Sequence, residues 1–172
     1  LLLVRKIGAP WQRELALAAV VEGDPPDIVI DEDVQRGMGA HSDYIEAQAQ
    51  VQLREIERQR RAYLSGRPAT PVEGRTVIVV DDGIATGTTM RAALKALRRR
   101  RPAALVLAVP VAPRDTLEQL RGEVDQVVCL DTPYPFFAVG EHYLRFHQVE
   151  DDEVIEALDA ADRALPGRSR AG

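Results

Sequence analysis

The sequence predicts an α/β fold, a doubly wound, Rossmann-like parallel sheet, on three observations. Short apolar runs such as Thr76-Val-Ile-Val-Val80 and Ala104-Leu-Val-Leu-Ala-Val109 lack the in–out alternation of a half-exposed strand. That is how strands buried on both faces read. Between these runs lie stretches with apolar residues at helical spacing, Ser42 to Leu64 and Thr88 to Arg101 among them. Strands and helices in alternation build parallel sheets covered on both faces. With 172 residues, 45% of them apolar, the chain suits a single domain over 1–172 with a sizeable core.

Leu1-Leu-Leu-Val4 has the pattern of a buried strand, closed by Arg5 and Lys6. A chain that opens inside a core strand without a methionine reads as one truncated at its N-terminus. A polar, glycine-containing stretch follows to about Gly23. Within it Glu14 to Val21 fits either a short helix or a strand, and periodicity does not separate the two. Asp24-Pro-Pro is a turn signal, Ile28-Val-Ile30 a brief strand, and Asp31 to Ala40 a loop. Ser42 suits an N-cap, and Ile45, Ala49, Leu53, Ile56 and Tyr63 continue a helix to Leu64. Its charge run, Arg54 to Arg61, reads as a solvated face supported by the Glu57–Arg61 pair.

Gly66 to Gly74 links this helix to the Thr76–Val80 strand, which reads as the central strand of the sheet. The next helix, Thr88 to Arg101, turns Met90, Leu94 and Leu97 inward, and its four terminal arginines complement the negative end of the helix dipole. Ala104–Val109 and Gln126–Leu130 are further buried strands, with a helix near Asp115 to Glu123 between them. Glu150 to Leu165 is an amphipathic helix, and 166–172 a flexible tail.

The chemistry concentrates after Val80. Asp81 and Asp82 stand at the carboxyl end of a strand, where they can accept hydrogen bonds from a vicinal diol or hold a divalent metal. Gly83 and Gly87 let the backbone approach a ligand closely. The N–H groups from Thr86 to Thr89 sit where a helix begins, so with the helix dipole they form an anion site. Thr86, Thr88 and Thr89 add hydroxyls. A phosphate receiver beside a diol receiver describes a ribose 5-phosphate site. A Walker loop would need Lys after Gly87, where Thr88 stands, and a dinucleotide fingerprint would need another glycine spacing. An ordinary strand–turn–helix with a threonine cap leaves the paired acids unexplained.

A net charge of −5 argues against a general nucleic-acid binder, which needs a basic face. No apolar stretch has the length of a membrane span. The single cysteine, Cys129, reads as a buried core thiol in a reducing cytoplasm.

Val79-Val-Asp-Asp-Gly-Ile-Ala-Thr-Gly-Thr-Thr-Met90 resembles the phosphoribosyl-diphosphate (PRPP) signature of type I phosphoribosyltransferases. Leu3-Val-Arg-Lys-Ile-Gly-Ala-Pro10 and Pro135-Phe-Phe-Ala-Val-Gly-Glu-His-Tyr143 resemble further segments of a bacterial group in that family. The resemblance implies a type I phosphoribosyltransferase-like fold, in which an earlier strand, a pyrophosphate-binding loop and a helix normally precede this point. It implies that Asp81 and Asp82 take the ribose hydroxyls and, directly or through hydroxyls or water, the Mg²⁺ that accompanies PRPP. Gly83, Ile84, Ala85, Thr86, Gly87, Thr88 and Thr89 would wrap the 5-phosphate. Arg5 and Lys6 would face the pyrophosphate from the ligand-binding edge of the sheet, followed by a mobile covering loop in which Glu14 is an acid–base candidate.

Phe137, with Phe136 and Val139 beside it, would receive a base, though local core packing is the competing reading of these aromatics. His142 and His147 read as surface or structural histidines. Where 6-oxopurine enzymes carry an aspartate this chain has Ala85, and Val127-Val-Cys-Leu-Asp-Thr132 supplies no lysine for a purine oxygen, so hypoxanthine and guanine are disfavoured. The reaction implied is phosphoribosyl transfer from PRPP to a nitrogenous acceptor with release of pyrophosphate, in a cytoplasmic protein for which a homodimer is one assembly. A non-catalytic sensor of PRPP or a nucleotide is the alternative, and a phosphoribosyl hydrolase or salvage step within a fused enzyme a second.

Overall fold

The computed structural model describes residues 1–164 apart from 24, 40 and 65–69, and the side chains of these except Glu14 and Asp33. The turn residue Asp24, the start of the predicted linker and the predicted tail lie outside the described residues. The α/β class stands, with parallel strands joined by helices, but the strands form two sheets. Strands β1 (Val4–Ala9), β2 (Gln12–Val21) and β3 (Asp27–Ile30) make an antiparallel sheet in that order. Strands β4 (Thr76–Val80), β5 (Ala104–Val111) and β6 (Gln126–Asp131) make a parallel one.

The first sheet corrects two expectations. Arg5 and Lys6 lie inside β1 rather than at its end, opposite Val20 and Ala19 of β2. The expected mobile loop is a hairpin that turns at Pro10 and Trp11. Periodicity could not identify β2 because its residues from Ala16 to Val21 are all buried. Ala18 and Val20 join the core under helix α2 (Ser42–Leu64), whereas Ala19 and Val21 pack on helix α3 (Thr88–Arg99).

The loop expected from Asp31 to Ala40 contains helix α1 (Glu32–Met38). Asp31 Oδ1 accepts the Val34 N–H at 3.1 Å, an N-cap that satisfies one orphan donor of the first turn. Helix α2 lays Ile45, Ala49, Ile56 and Tyr63 on the hairpin and leaves its charge run in solvent, where Arg61 meets Glu57 at 2.8 Å. Helix α5 (Asp151–Ala164) docks on α2 through Asp151, which accepts from the Tyr63 hydroxyl and, at 2.9 Å, from Arg58. Those two donors, Tyr63 first, hold the Asp151 carboxyl below its ordinary range.

Helix α3 lies between the sheets and joins them. Met90, Leu94 and Leu97 share a core with Leu105 and Leu107, whereas the small Ala92 and Ala96 meet Ala19 and Val21. Its terminal arginines have separate partners: Arg98 pairs with Asp125 at 3.0 Å, Arg99 with Asp27 at 2.6 Å and Arg101 with Glu73 at 2.7 Å, while Arg100 donates to the Glu22 carbonyl. They fasten both sheets to one helix end. Between β5 and β6 lies helix α4 (Arg114–Leu120), extended by a 3-10 turn over Arg121–Glu123.

Among the described residues the Thr76–Val80 strand is an edge of the parallel sheet, not its centre, and it is not buried on both faces. Val77 and Val79 pack toward the core; Ile78 is 61% exposed, Val80 73% and, on β6, Leu130 80%. Cys129 is half-buried against the same core, with its Sγ 3.1 Å from the Asp131 carbonyl. Among the described residues no helix is long and apolar enough to cross a membrane.

Candidate functional site at the carboxyl edge of the parallel sheet

Leaving β4, the chain presents Asp81 and Asp82 at the carboxyl end of the strand, both exposed. The Asp82 N–H donates to Asp81 Oδ1 at 3.0 Å. Partial desolvation pushes the Asp81 carboxyl above its ordinary range, and the Asp82 charge adds to the rise, while that hydrogen bond works the other way. Such a carboxylate gains from a cation or hydroxyl donors placed against it.

The following loop is anchored at both ends. Ile84 is buried and donates its N–H to the Val111 carbonyl at 3.1 Å. Gly87 precedes α3 in the left-handed region, φ 75°, with no side-chain cap, and its carbonyl accepts the Arg91 N–H at 2.8 Å. The N–H groups of Thr88, Thr89 and Met90 therefore emerge from the helix start without helical carbonyls to bind. The first turn carries no acidic residue to compete for them. These are the conditions under which a helix start receives an anion.

Two contacts from elsewhere complete the loop. On α4 the Thr116 hydroxyl donates to the Ala85 carbonyl at 2.9 Å, and the Tyr143 hydroxyl donates to the Asp82 carbonyl at 2.5 Å. Gly83 is required sterically: a Cβ there would stand 2.6 Å from Val139 Cγ1. The segment from Phe136 to Tyr143 thus abuts the acid pair. Nothing in the sequence marks Thr116, since a lone hydroxyl in a short helix carries no signal. Tyr143 lies at the end of the Pro135–Tyr143 segment, and nothing in that segment shows its link to Asp82.

The other predicted residues fall in several places. Alternation along β1 puts Arg5 and Lys6 on opposite faces of the hairpin. Arg5 turns to α2, where its Nε meets Gln52 Oε1 at 3.2 Å, while Lys6 is exposed on the other face, the one it shares with its cross-strand partner Ala19. Glu14 belongs to β2 and its side chain is outside the described residues. Phe136 is half-buried and stacks on His142 with ring centroids 5.2 Å apart, while Phe137 is 75% exposed and so is not a core residue. Thr88 also borders a cleft of about 350 Å³ between α3 and the first sheet, lined by Asp31, Glu32, Arg91 and Lys95. Among the described residues no group of three or more His, Cys, Asp or Glu side chains is placed to hold a metal.

A family model described as "Phosphoribosyl transferase domain" matches residues 4–145. Curated proteins from two strains of Mycobacterium tuberculosis, each named "Putative phosphoribosyl transferase", are 43% identical to the chain over 162 residues. The match covers 94% of this chain and 36% of each relative, so the chain spans about a third of their length. Among solved structures, TT1426 from Thermus thermophilus is similar, with 40% identity and a TM-score of 0.70 over 91% of this chain and 73% of that one.

Proposed function

The chain belongs to the phosphoribosyl transferase family, and from that premise we propose that it binds PRPP with Mg²⁺ and transfers the 5-phosphoribosyl group to a nitrogenous acceptor, releasing pyrophosphate. One observation carries the reading: paired acids at the end of β4 run directly into a left-handed Gly87 and an uncapped start of α3. This sets acceptors for a diol beside donors for a phosphate.

In this reading the N–H groups of Thr88 and Thr89, with the loop from Gly83 to Gly87, hold the 5-phosphate. Asp81 and Asp82 hold the ribose hydroxyls. Because no set of protein ligands by itself forms a metal site among the described residues, Mg²⁺ would be held largely by PRPP oxygens, with the acid pair close by. Its contribution, when bound, is to offset negative charge on the departing pyrophosphate. The chain's own task is to fix the ribose so that C1 meets the acceptor nitrogen in line, which needs positioning more than covalent chemistry. Lys6 is the cation proposed to face the pyrophosphate; Arg5, bound to Gln52, orients the hairpin on α2. Glu14 remains the proposed proton acceptor in that hairpin.

Phe137, exposed beside a segment that touches Gly83 and Asp82, is proposed to stack on the acceptor ring, with Val139 at its edge and Phe136 supporting the segment through His142. Ala85 offers no carboxylate to a purine nitrogen, which favours acceptors other than 6-oxopurines.

The test is to incubate the chain with PRPP, Mg²⁺ and a panel of bases and to follow pyrophosphate. Release that depends on one base supports the reading and names the acceptor. Binding of PRPP without release under any base would assign the protein to the sensor class instead.

A further inference from the structure

We infer that Thr116 is the positioning residue of the phosphate loop, an inference that rests on the PRPP reading above. Thr116 is buried, at 7% exposure, although it belongs to a different strand–helix unit from the loop it touches. It engages the loop with both halves of its side chain. The hydroxyl donates to the Ala85 carbonyl at 2.9 Å. The methyl, Cγ2, stands 2.7 Å from where a Cβ on Gly87 would be. One side chain therefore holds the residue two before Gly87 by a hydrogen bond and closes off space at Gly87 itself by contact.

That matters because Gly87 controls the aim of the helix start. Its left-handed φ of 75° turns the chain into α3, so the directions of the Thr88, Thr89 and Met90 N–H groups depend on this one conformation. Glycine alone has a wide choice of conformations, and without an external constraint the loop would sample others. Ile84 fixes the entry of the loop through Val111, and Arg91 fixes the exit through the Gly87 carbonyl. Between these two anchors Thr116 supplies the hydroxyl bond. Thr116 is itself held by its helix, whose Leu117 and Leu120 are core residues, and its N–H donates to Asp115 Oδ1 at 2.9 Å. The carboxyl ends of β4 and β5 are thereby coupled through one side chain.

The hydroxyl and the methyl can be tested apart. Thr116→Val keeps the shape at Gly87 and removes the bond to Ala85, whereas Thr116→Ser keeps the bond and removes the methyl. PRPP with Mg²⁺ is titrated calorimetrically into wild type and both variants, with the thermal midpoint of each measured in parallel. Amide hydrogen exchange at Ile84 to Thr89 is followed in the free proteins. The inference expects Thr116→Val to bind PRPP about tenfold more weakly, with faster exchange confined to the loop and a small change in midpoint. Thr116→Ser is expected to restore most of the affinity. Wild-type binding matched by Thr116→Val, with unchanged loop exchange, would overturn the positioning role and leave the PRPP reading standing. No binding by wild type would overturn both. Loss of affinity that only tracks a global drop in midpoint would make Thr116 a packing residue and overturn the inference.

Discussion

The Tyr143 hydroxyl donates to the main-chain carbonyl of Asp82 at 2.5 Å across 61 positions of sequence. This bond ties the aromatic segment after β6 to the acid pair after β4. With Val139 packed where a Gly83 side chain would be, it keeps a candidate base-binding wall beside a candidate ribose site.

Tyr143→Phe removes that bond without removing the ring contact to Phe146. A partly exposed neutral hydrogen bond contributes about 0.5–1 kcal/mol. The variant should therefore unfold in urea only slightly earlier than wild type and bind PRPP about two- to fivefold more weakly. An unchanged affinity would mean that Asp82 keeps its position without Tyr143.

The Asp81 carboxyl is raised above the ordinary 3.8, by desolvation first and the Asp82 charge second. The folded protein then holds its proton more readily than the unfolded chain, so ionising Asp81 opposes folding. The penalty is absent below the ordinary value, grows as pH rises from it toward the raised one, and is complete above that. Asp81→Asn should accordingly be more stable than wild type at neutral pH, with the advantage shrinking as pH falls toward 3.8. Urea midpoints of the two proteins across that range, with the Asp81 carboxyl followed by NMR, check the sign. A titration below 3.8 would contradict it.

The open face of the parallel sheet separates two leucines on neighbouring strands. Leu107 is fully buried under α3, and Leu130 is 80% exposed. Leu107→Ala should cost about 2–5 kcal/mol, while Leu130→Ala should stay within about 0.5 kcal/mol. Chemical denaturation of both variants tests this, and a large cost at Leu130 would mean that this face is covered in solution.

Local signals were legible where a residue's role depends on its near neighbours. Ser42 to Leu64 showed its helix through spacing, and Asp81 to Thr89 showed a strand end, a glycine turn and a helix start in consecutive residues. What the sequence hid depends on distant partners. Leu15 to Val21 lacks a period because α2 and α3 cover its two faces. Thr76 to Val80 reads as central because it is apolar throughout, and apolarity does not reveal that Ile78 and Val80 are left uncovered. Helix α1 is short and contains Gly37, and what starts it is the Asp31 side chain accepting from Val34, so little in its own residues sets it apart from a loop. Arg5 and Lys6 looked like a single cationic pair, but strand alternation divides them between two faces. Thr116 and Tyr143 reach the loop only through the fold.

The most direct test of the account is calorimetric titration of PRPP with Mg²⁺ into wild type, Asp82→Asn and Gly87→Val. Charge-assisted hydrogen bonds contribute on the order of 1.5–3 kcal/mol, so Asp82→Asn should bind roughly tenfold to a hundredfold more weakly. Gly87→Val puts a branched side chain at φ 75° and against Thr116, so it should lose PRPP binding while the far-UV spectrum stays native. Equal affinity in all three proteins would contradict the account and reduce the Asp81–Thr89 segment to a structural turn.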